Sequence, residues 1–172
     1  IPLIDTADGF DVLFEIRSSQ IQSQPGDVCF PGGMVEPGET EAQAAVREMR
    51  EELLVDASQI HMVGPMDIFP ASRLYVYPFV VLLEQYGNTF STDEVEAVFR
   101  VPLQFFLETE PEVYYTRMKV IPGEDFPYDR IYGGRNYGWR ERGEEIFFYQ
   151  YKQYNIWGMT AKMIEALARL IR

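Results

Sequence analysis

The stretch GGMVEPGETEAQAAVREMREELLV, residues 32–55, sets the reading of the whole chain. Thr40 suits a helix N-cap, and Gln43 three residues later completes a capping box. From there Ala42, Ala45, Val46, Met49 and Leu53 recur at helical spacing and make an apolar stripe expected to face a core. Glu48, Glu51 and Glu52 stand at i, i+3 and i+4, on a neighbouring stripe expected to be exposed. Like charges so spaced repel by roughly a few tenths of a kcal/mol per pair, so carboxylates kept there suit a bound cation. Oxygen ligands at this density favour a hard divalent ion, Mg or Mn, over zinc.

Taken alone, Glu48 to Glu52 reads better as the solvated face of a Glu-rich helix. The loop in front changes that balance. Phe30-Pro31-Gly32-Gly33 is followed by Glu36-Pro37-Gly38-Glu39. Paired glycines let the backbone approach a ligand or turn sharply, and Glu39 adds a carboxylate just ahead of the helix. Ala44, one turn before Glu48, is small enough to leave room over the carboxylates.

At these residues the chain resembles the Nudix hydrolases, whose signature is G-x5-E-x7-R-E-U-x-E-E-x-G-U with U a bulky aliphatic. Gly33, Glu39, Arg47, Glu48, Met49, Glu51, Glu52 and Val55 fill the pattern at its spacing, over residues 33–55. Leu54 stands where the family has glycine. A left-handed conformation there costs a non-glycine residue roughly 1–2 kcal/mol, so the turn after the helix, rather than the acidic set, is where a departure is expected.

The residues upstream carry a second resemblance, to the coenzyme A pyrophosphatase branch of the family. Its motif has the form L-L-T-x-R-S-x3-R-x3-G-x3-F-P-G-G, and residues 13–33 align with it. Leu13, Arg17, Ser18, Gly26 and Phe30-Pro31-Gly32-Gly33 match; Phe14 and Glu15 depart from its second Leu and its Thr. Gln22 replaces its second arginine, exchanging a cation for a neutral amide.

Composition bounds the remaining choices. The 172 residues suit a single domain, and 47% hydrophobic with 15% aromatic content argues for a packed core. A net charge of −12 opposes nucleic-acid binding and attachment to an anionic membrane, yet bound cations and local arginines can still admit a small anionic substrate. Cys29 is the only cysteine, which fits a reducing cytoplasm. With His61 as the lone histidine, neither a zinc site nor a Ser-His-Asp triad is supported, and His61 reads as structural. No apolar run approaches the ~20 residues of a membrane span.

Along the chain, Ile1–Ile4, Val12–Arg17, Ile60–Ile68 and Leu74–Leu83 read as strands, with Pro70-Ala71-Ser72 as a break. The run LYVYPFVVLL is apolar enough for one long buried strand, and Arg73 at its start is a candidate phosphate contact. VFRVPLQFFLE reads as a strand entering a short helix, with Glu94, then Glu96, as the acidic residue that the family often places before it. Residues 112–154 read as strands joined by a Gly-rich loop, and Met163, Ile164, Leu167, Leu170 and Ile171 mark a terminal amphipathic helix.

The resemblance implies an α/β fold, a Nudix-type α/β/α sandwich with a mixed β-sheet, as one domain over residues 1–172. It implies hydrolysis of a diphosphate in a small nucleotide-containing substrate, most readily coenzyme A or its thioesters, with ADP-ribose or another nucleoside diphosphate derivative as the alternative. Glu48 and Glu52 are then the main metal ligands. Glu51 shares a metal or acts as base, and a Gly32 or Gly33 carbonyl adds an oxygen. Arg47 orients Glu51 or Glu39, Glu39 supports, and Glu94 joins the catalytic set. Arg17, Ser18, Phe30, Gly32 and Arg73 are candidates for the substrate. A non-catalytic nucleotide-binding module is the rival from another class, and a homodimer is left open.

Overall fold

The computed structural model describes residues 1–71 and 74–172. Arg73 lies outside them, so its candidacy as a phosphate contact is not addressed by the structure. Strand β1 (Pro2–Thr6) turns back through Gly9 into β2 (Gly9–Arg17), and β3 (Val28–Cys29) pairs with the far end of β2. Helix α1 (Glu41–Leu53) follows, then β4 (Ile60–Pro65), a small hairpin of β5 (Phe69–Ala71) and β6 (Leu74–Val76), and β7 (Phe79–Leu83). Strand β8 (Val95–Pro102) leads into helix α2 (Leu103–Glu108). A second sheet of β9 (Glu112–Met118), β10 (Arg142–Tyr151) and β11 (Tyr154–Trp157) ends in helix α3 (Gly158–Ile171).

The main sheet has six strands and is mixed: β1 runs parallel to β7 and antiparallel to β2, while β2 also pairs with β8 along most of its length. Alternation along β2 divides the molecule into layers. Val12 and Phe14 point into a core with Val101, Phe106, Ile164 and Ala168, beneath α2 and α3. Leu13 points the other way, into a second core with Met49, Leu53, Val81 and Leu83, beneath α1. The expected sandwich, a mixed sheet between helices, is the observed one. Thr160 near the start of α3 donates to the Val28 carbonyl at 3.0 Å, which fixes that helix against β3.

Two strand expectations change. The run from Leu74 is divided, because Pro78 has no N–H for a ladder and its carbonyl instead accepts from Met66 N–H at 2.9 Å. Only its second part, β7, is largely buried; Leu74 and Tyr75 are exposed. Pro70 and Ala71, expected as a break, lie within the short strand β5. His61 lies on the surface, 3.4 Å from Glu84, consistent with a structural residue.

Helix α1 begins as its sequence demands. Thr40 accepts from Gln43 N–H, and the Gln43 side chain accepts from Thr40 N–H. It ends on Leu54, at φ 53° and ψ 49°, in the left-handed region where the family signature has glycine. The freed carbonyls of Glu52 and Leu53 accept from Ser91 N–H and the Thr89 hydroxyl at 2.7 and 2.6 Å, so the turn is held by the loop before β8. Leu54 itself is 58% exposed and gains little from packing. Leu54→Gly should therefore stabilise the protein by about 0.5–1 kcal/mol in urea unfolding, the relief of left-handed strain less the added freedom of glycine when unfolded. A loss of stability would show that Leu54 makes a contact worth more than the strain.

Candidate active site

Arg47 is the hub that organises the acidic residues. Its guanidinium meets Glu39 at two points, Nε to Oε2 at 3.2 Å and Nη2 to Oε1 at 2.8 Å, a bidentate pairing. Its Nη1 donates to Glu48 at 2.8 Å and to Glu51 at 3.3 Å, and Nη2 also reaches the Met34 carbonyl at 3.1 Å. Both expected partners, Glu39 and Glu51, are thus engaged, and Glu48 is a third. The Arg47 guanidinium holds the Glu39 carboxyl below its usual pKa, with help from the Glu36 N–H. Glu51 sits on the outer side, its side chain 62% exposed.

Glu52 corrects the expectation of an exposed carboxylate stripe: the residue is only 3% exposed. It follows Met49 by one turn and precedes Leu53, so it lies at the margin of the apolar face and is carried down with it. Its Oε2 accepts from Gly32 N–H at 2.8 Å, which clamps the glycine loop onto the helix. Ala44 is buried as well, and is part of the packed face rather than an opening over the carboxylates. Gly33 is required by contact: a Cβ built there would collide with the Glu48 carboxylate.

The residue that sequence reasoning missed is Glu15, which reads there only as a departure from the upstream motif. It lies on β2 two residues beyond Leu13, on the face covered by α1, and is 1% exposed. Oε1 accepts from the Cys29 thiol at 3.4 Å, while Oε2 is buried without a hydrogen-bond partner among the described residues. A charged residue set between the apolar Phe14 and Ile16 is the available signal. Glu94 lies in the turn before β8, where its carbonyl accepts from Ser18 N–H at 2.7 Å and its carboxylate repels those of Glu15 and Glu52. Glu96, the second choice, is occupied with Ser19 N–H at 3.3 Å.

Burial, then repulsion from neighbouring carboxylates, pushes the Glu15 and Glu52 carboxyls up. Glu52 is raised to about 8 by desolvation and by the Glu15, Glu48 and Glu94 charges, against the Gly32 hydrogen bond. Glu15 is raised to about 7, chiefly by desolvation. Among the described residues no three acidic, His or Cys side chains yet converge on one ligating point, and Arg47 occupies one oxygen of Glu48. The donors nevertheless fit a divalent cation. They are all oxygen, and one is buried and unpartnered among the described residues.

The upstream candidates are placed less uniformly. Arg17 donates through Nε to the Ser23 carbonyl at 3.1 Å and so braces its own loop. Ser18 is buried, with its hydroxyl accepting from Gln20 N–H. Phe30 corrects its expected role against the substrate: it is buried, and its ring stacks on Phe14 at 4.9 Å, because an apolar ring at the end of β3 gains most from the core. Tyr114, Phe148 and Trp157 form an outer aromatic face of the second sheet.

A family model described as a NUDIX domain matches residues 2–119. The peroxisomal coenzyme A diphosphatase NUDT7 of Mus musculus is 35% identical over 130 residues, 73% of this chain and 54% of that protein. The uncharacterized Nudix hydrolase NudL of Escherichia coli O7:K1 is 31% identical over 160 residues, 91% of this chain and 73% of that one. The chain spans about half the length of the curated coenzyme A diphosphatases it matches. Among solved structures, a Nudix hydrolase from M. smegmatis, RenU, superposes with a TM-score of 0.53 at 19% identity, over 61% of this chain and 68% of that chain, a likeness of fold.

The crowding of Gly33 against Glu48 is open to test. Gly33→Ala should leave thermal stability within about 1 kcal/mol, since the flexible end of Glu48 can swing away, while abolishing whatever depends on that carboxylate. A fully active alanine variant would show that the Glu48 position is not critical. Because Glu15 and Glu52 bind protons more tightly when folded than unfolded, the metal-free protein should lose stability as pH rises from about 5 to 8. Chemical denaturation in EDTA checks this, and stability that rises over that interval would contradict the crowding of carboxylates.

Proposed function

Because the chain belongs to the NUDIX family, we propose that it is a divalent-metal-dependent pyrophosphohydrolase acting on coenzyme A or its thioesters. The products would be 3′,5′-ADP and a 4′-phosphopantetheine compound. The observation that carries this reading is the glycine loop laid against the helix carboxylates, with Gly32 N–H donating to the buried Glu52 and Gly33 packed against the Glu48 carboxylate. Cleaving a phosphoanhydride requires neutralised phosphate charge and an activated water, which a bound Mg or Mn ion supplies.

The chain's own residues divide the remaining work. Glu48 and Glu52 hold the cation, with a carbonyl of Gly32 or Gly33 as a further oxygen. Gly32 N–H keeps Glu52 in one orientation, and Arg47 keeps Glu48 and Glu51 on the same side of α1. Glu51, the most exposed of the helix carboxylates named here, and Glu94 are the candidates to accept a proton from water. Glu39 serves Arg47 rather than the cation. The reducing cytoplasm is the setting proposed for a chain with one cysteine.

The coenzyme A assignment is supported by the upstream motif and by the similarity to the mouse coenzyme A diphosphatase. A second reading, hydrolysis of ADP-ribose or another nucleoside diphosphate derivative, is favoured by Gln22 and by Arg17, whose Nε is spent on the Ser23 carbonyl. A non-catalytic module draws little support from Leu54, whose left-handed turn lies beyond the acidic set.

A panel of coenzyme A, acetyl-coenzyme A, ADP-ribose and diadenosine polyphosphates with Mg or Mn separates these readings. Coenzyme A and its thioester should be cleaved best. Faster turnover of ADP-ribose would favour the second reading, and no turnover of any would favour the binding module. Glu48→Gln and Glu52→Gln should each lower kcat by roughly a hundredfold or more, as several kcal/mol of charge stabilisation are lost. In Glu52→Gln the new amide oxygen can still accept from Gly32 N–H, so folding should survive. Full activity in either variant would remove it from the ligand set.

A further inference from the structure

We propose that Glu15 is a further carboxylate of the cation site, entering it from the sheet beneath helix α1. This rests on the metal-dependent reading above and extends it to a residue outside the acidic helix and its loop. The main sheet offers few polar side chains to its interior, and Glu15 is buried to 1% exposure on the same face as Leu13. Its neighbours across the strands are Cys29 on β3 and Val98 on β8, neither of which is a cation.

One oxygen is positioned and the other is left over. The Cys29 thiol donates to Oε1, and burial beside Glu15 raises the thiol's pKa far enough to keep it a protonated donor. Oε2 is buried with no hydrogen-bond partner among the described residues. A carboxylate oxygen in that state is unfavourable unless something meets it. The nearby charges felt most by Glu15 are the Arg17 cation and the Glu94 and Glu48 carboxylates, and Glu15 is the largest charge acting on Glu52. A site for a divalent ion among Glu48, Glu52 and Glu94 would therefore extend to the unpartnered oxygen of Glu15. The ion would relieve both the missing partner and the repulsion.

The test is direct Mn binding, by titration calorimetry and by the loss of the free-ion electron paramagnetic resonance signal, independent of turnover. Glu15→Gln keeps the shape and the acceptor for the Cys29 thiol while removing the charge. It should raise the metal-free melting temperature and weaken Mn binding about tenfold or more, with a smaller metal-induced gain in melting temperature. Glu15→Asp, shorter but charged, should bind Mn better than Glu15→Gln. Unchanged Mn affinity in Glu15→Gln overturns the proposal, since that variant copies a carboxyl that merely stays protonated. If the natural protein takes up no Mn or Mg, the metal-dependent reading falls and this inference falls with it. If it binds Mn, and Glu48→Gln weakens binding but Glu15→Gln does not, only the inference fails.

Discussion

The hydrogen bond from Gly32 N–H to the buried Glu52 carboxylate, 2.8 Å long, ties the site together. It joins the glycine loop, which leaves β3, to the far end of α1, and so sets where the loop crosses the helix. Gly33 then passes so close to the Glu48 carboxylate that any side chain there would push that carboxylate aside. Arg47 fixes the other side by binding Glu39, Glu48, Glu51 and the Met34 carbonyl together. The loop and helix form one rigid acidic unit because each polar end finds its partner on the other.

That unit is held at an energetic disadvantage when metal-free. Glu15 and Glu52 are raised well above ordinary carboxyl values, first by burial and then by neighbouring carboxylates, Glu94 and Glu48 acting on Glu15 and Glu15 itself acting on Glu52. A sequence selected only for folding would place apolar residues at two such positions, since buried charges are stabilising only when fully paired. The loss is recovered if a divalent cation binds the folded form, because binding to the native state alone stabilises it by mass action. The overall charge of −12 is compatible with an anionic substrate on the same grounds, because a cation bound beside the glycine loop would invert the local field there.

Much of this is legible in the sequence, for identifiable reasons. The capping pair Thr40 and Gln43, the apolar spacing from Met49 to Leu53 and the Arg47 contacts all depend on residues close in the chain. The turn at Leu54 is not read correctly: the missing glycine points to a departure, yet Leu54 keeps the left-handed conformation because Thr89 and Ser91 hold the helix end. Glu15 is not legible, because its burial depends on β2 lying under α1, a contact that no local pattern declares. Glu52 reads as exposed and is not, since a residue at the edge of an apolar stripe is buried or not according to what packs there. Pro78 is easily passed over inside LYVYPFVVLL because hydrophobic content outweighs the missing N–H. Phe30 looks like part of a ligand motif and proves to be core, stacked on Phe14.

The central claim is that these carboxylates form a divalent cation site. The most direct measurement is anomalous diffraction from crystals of the protein soaked in Mn. The account predicts a peak within ligating distance of Glu48 and Glu52, with Arg47 displaced from at least one of its present oxygens. Crystals that hold no Mn there, with Arg47 still bound to Glu48 and Glu15 still unpartnered, would contradict it.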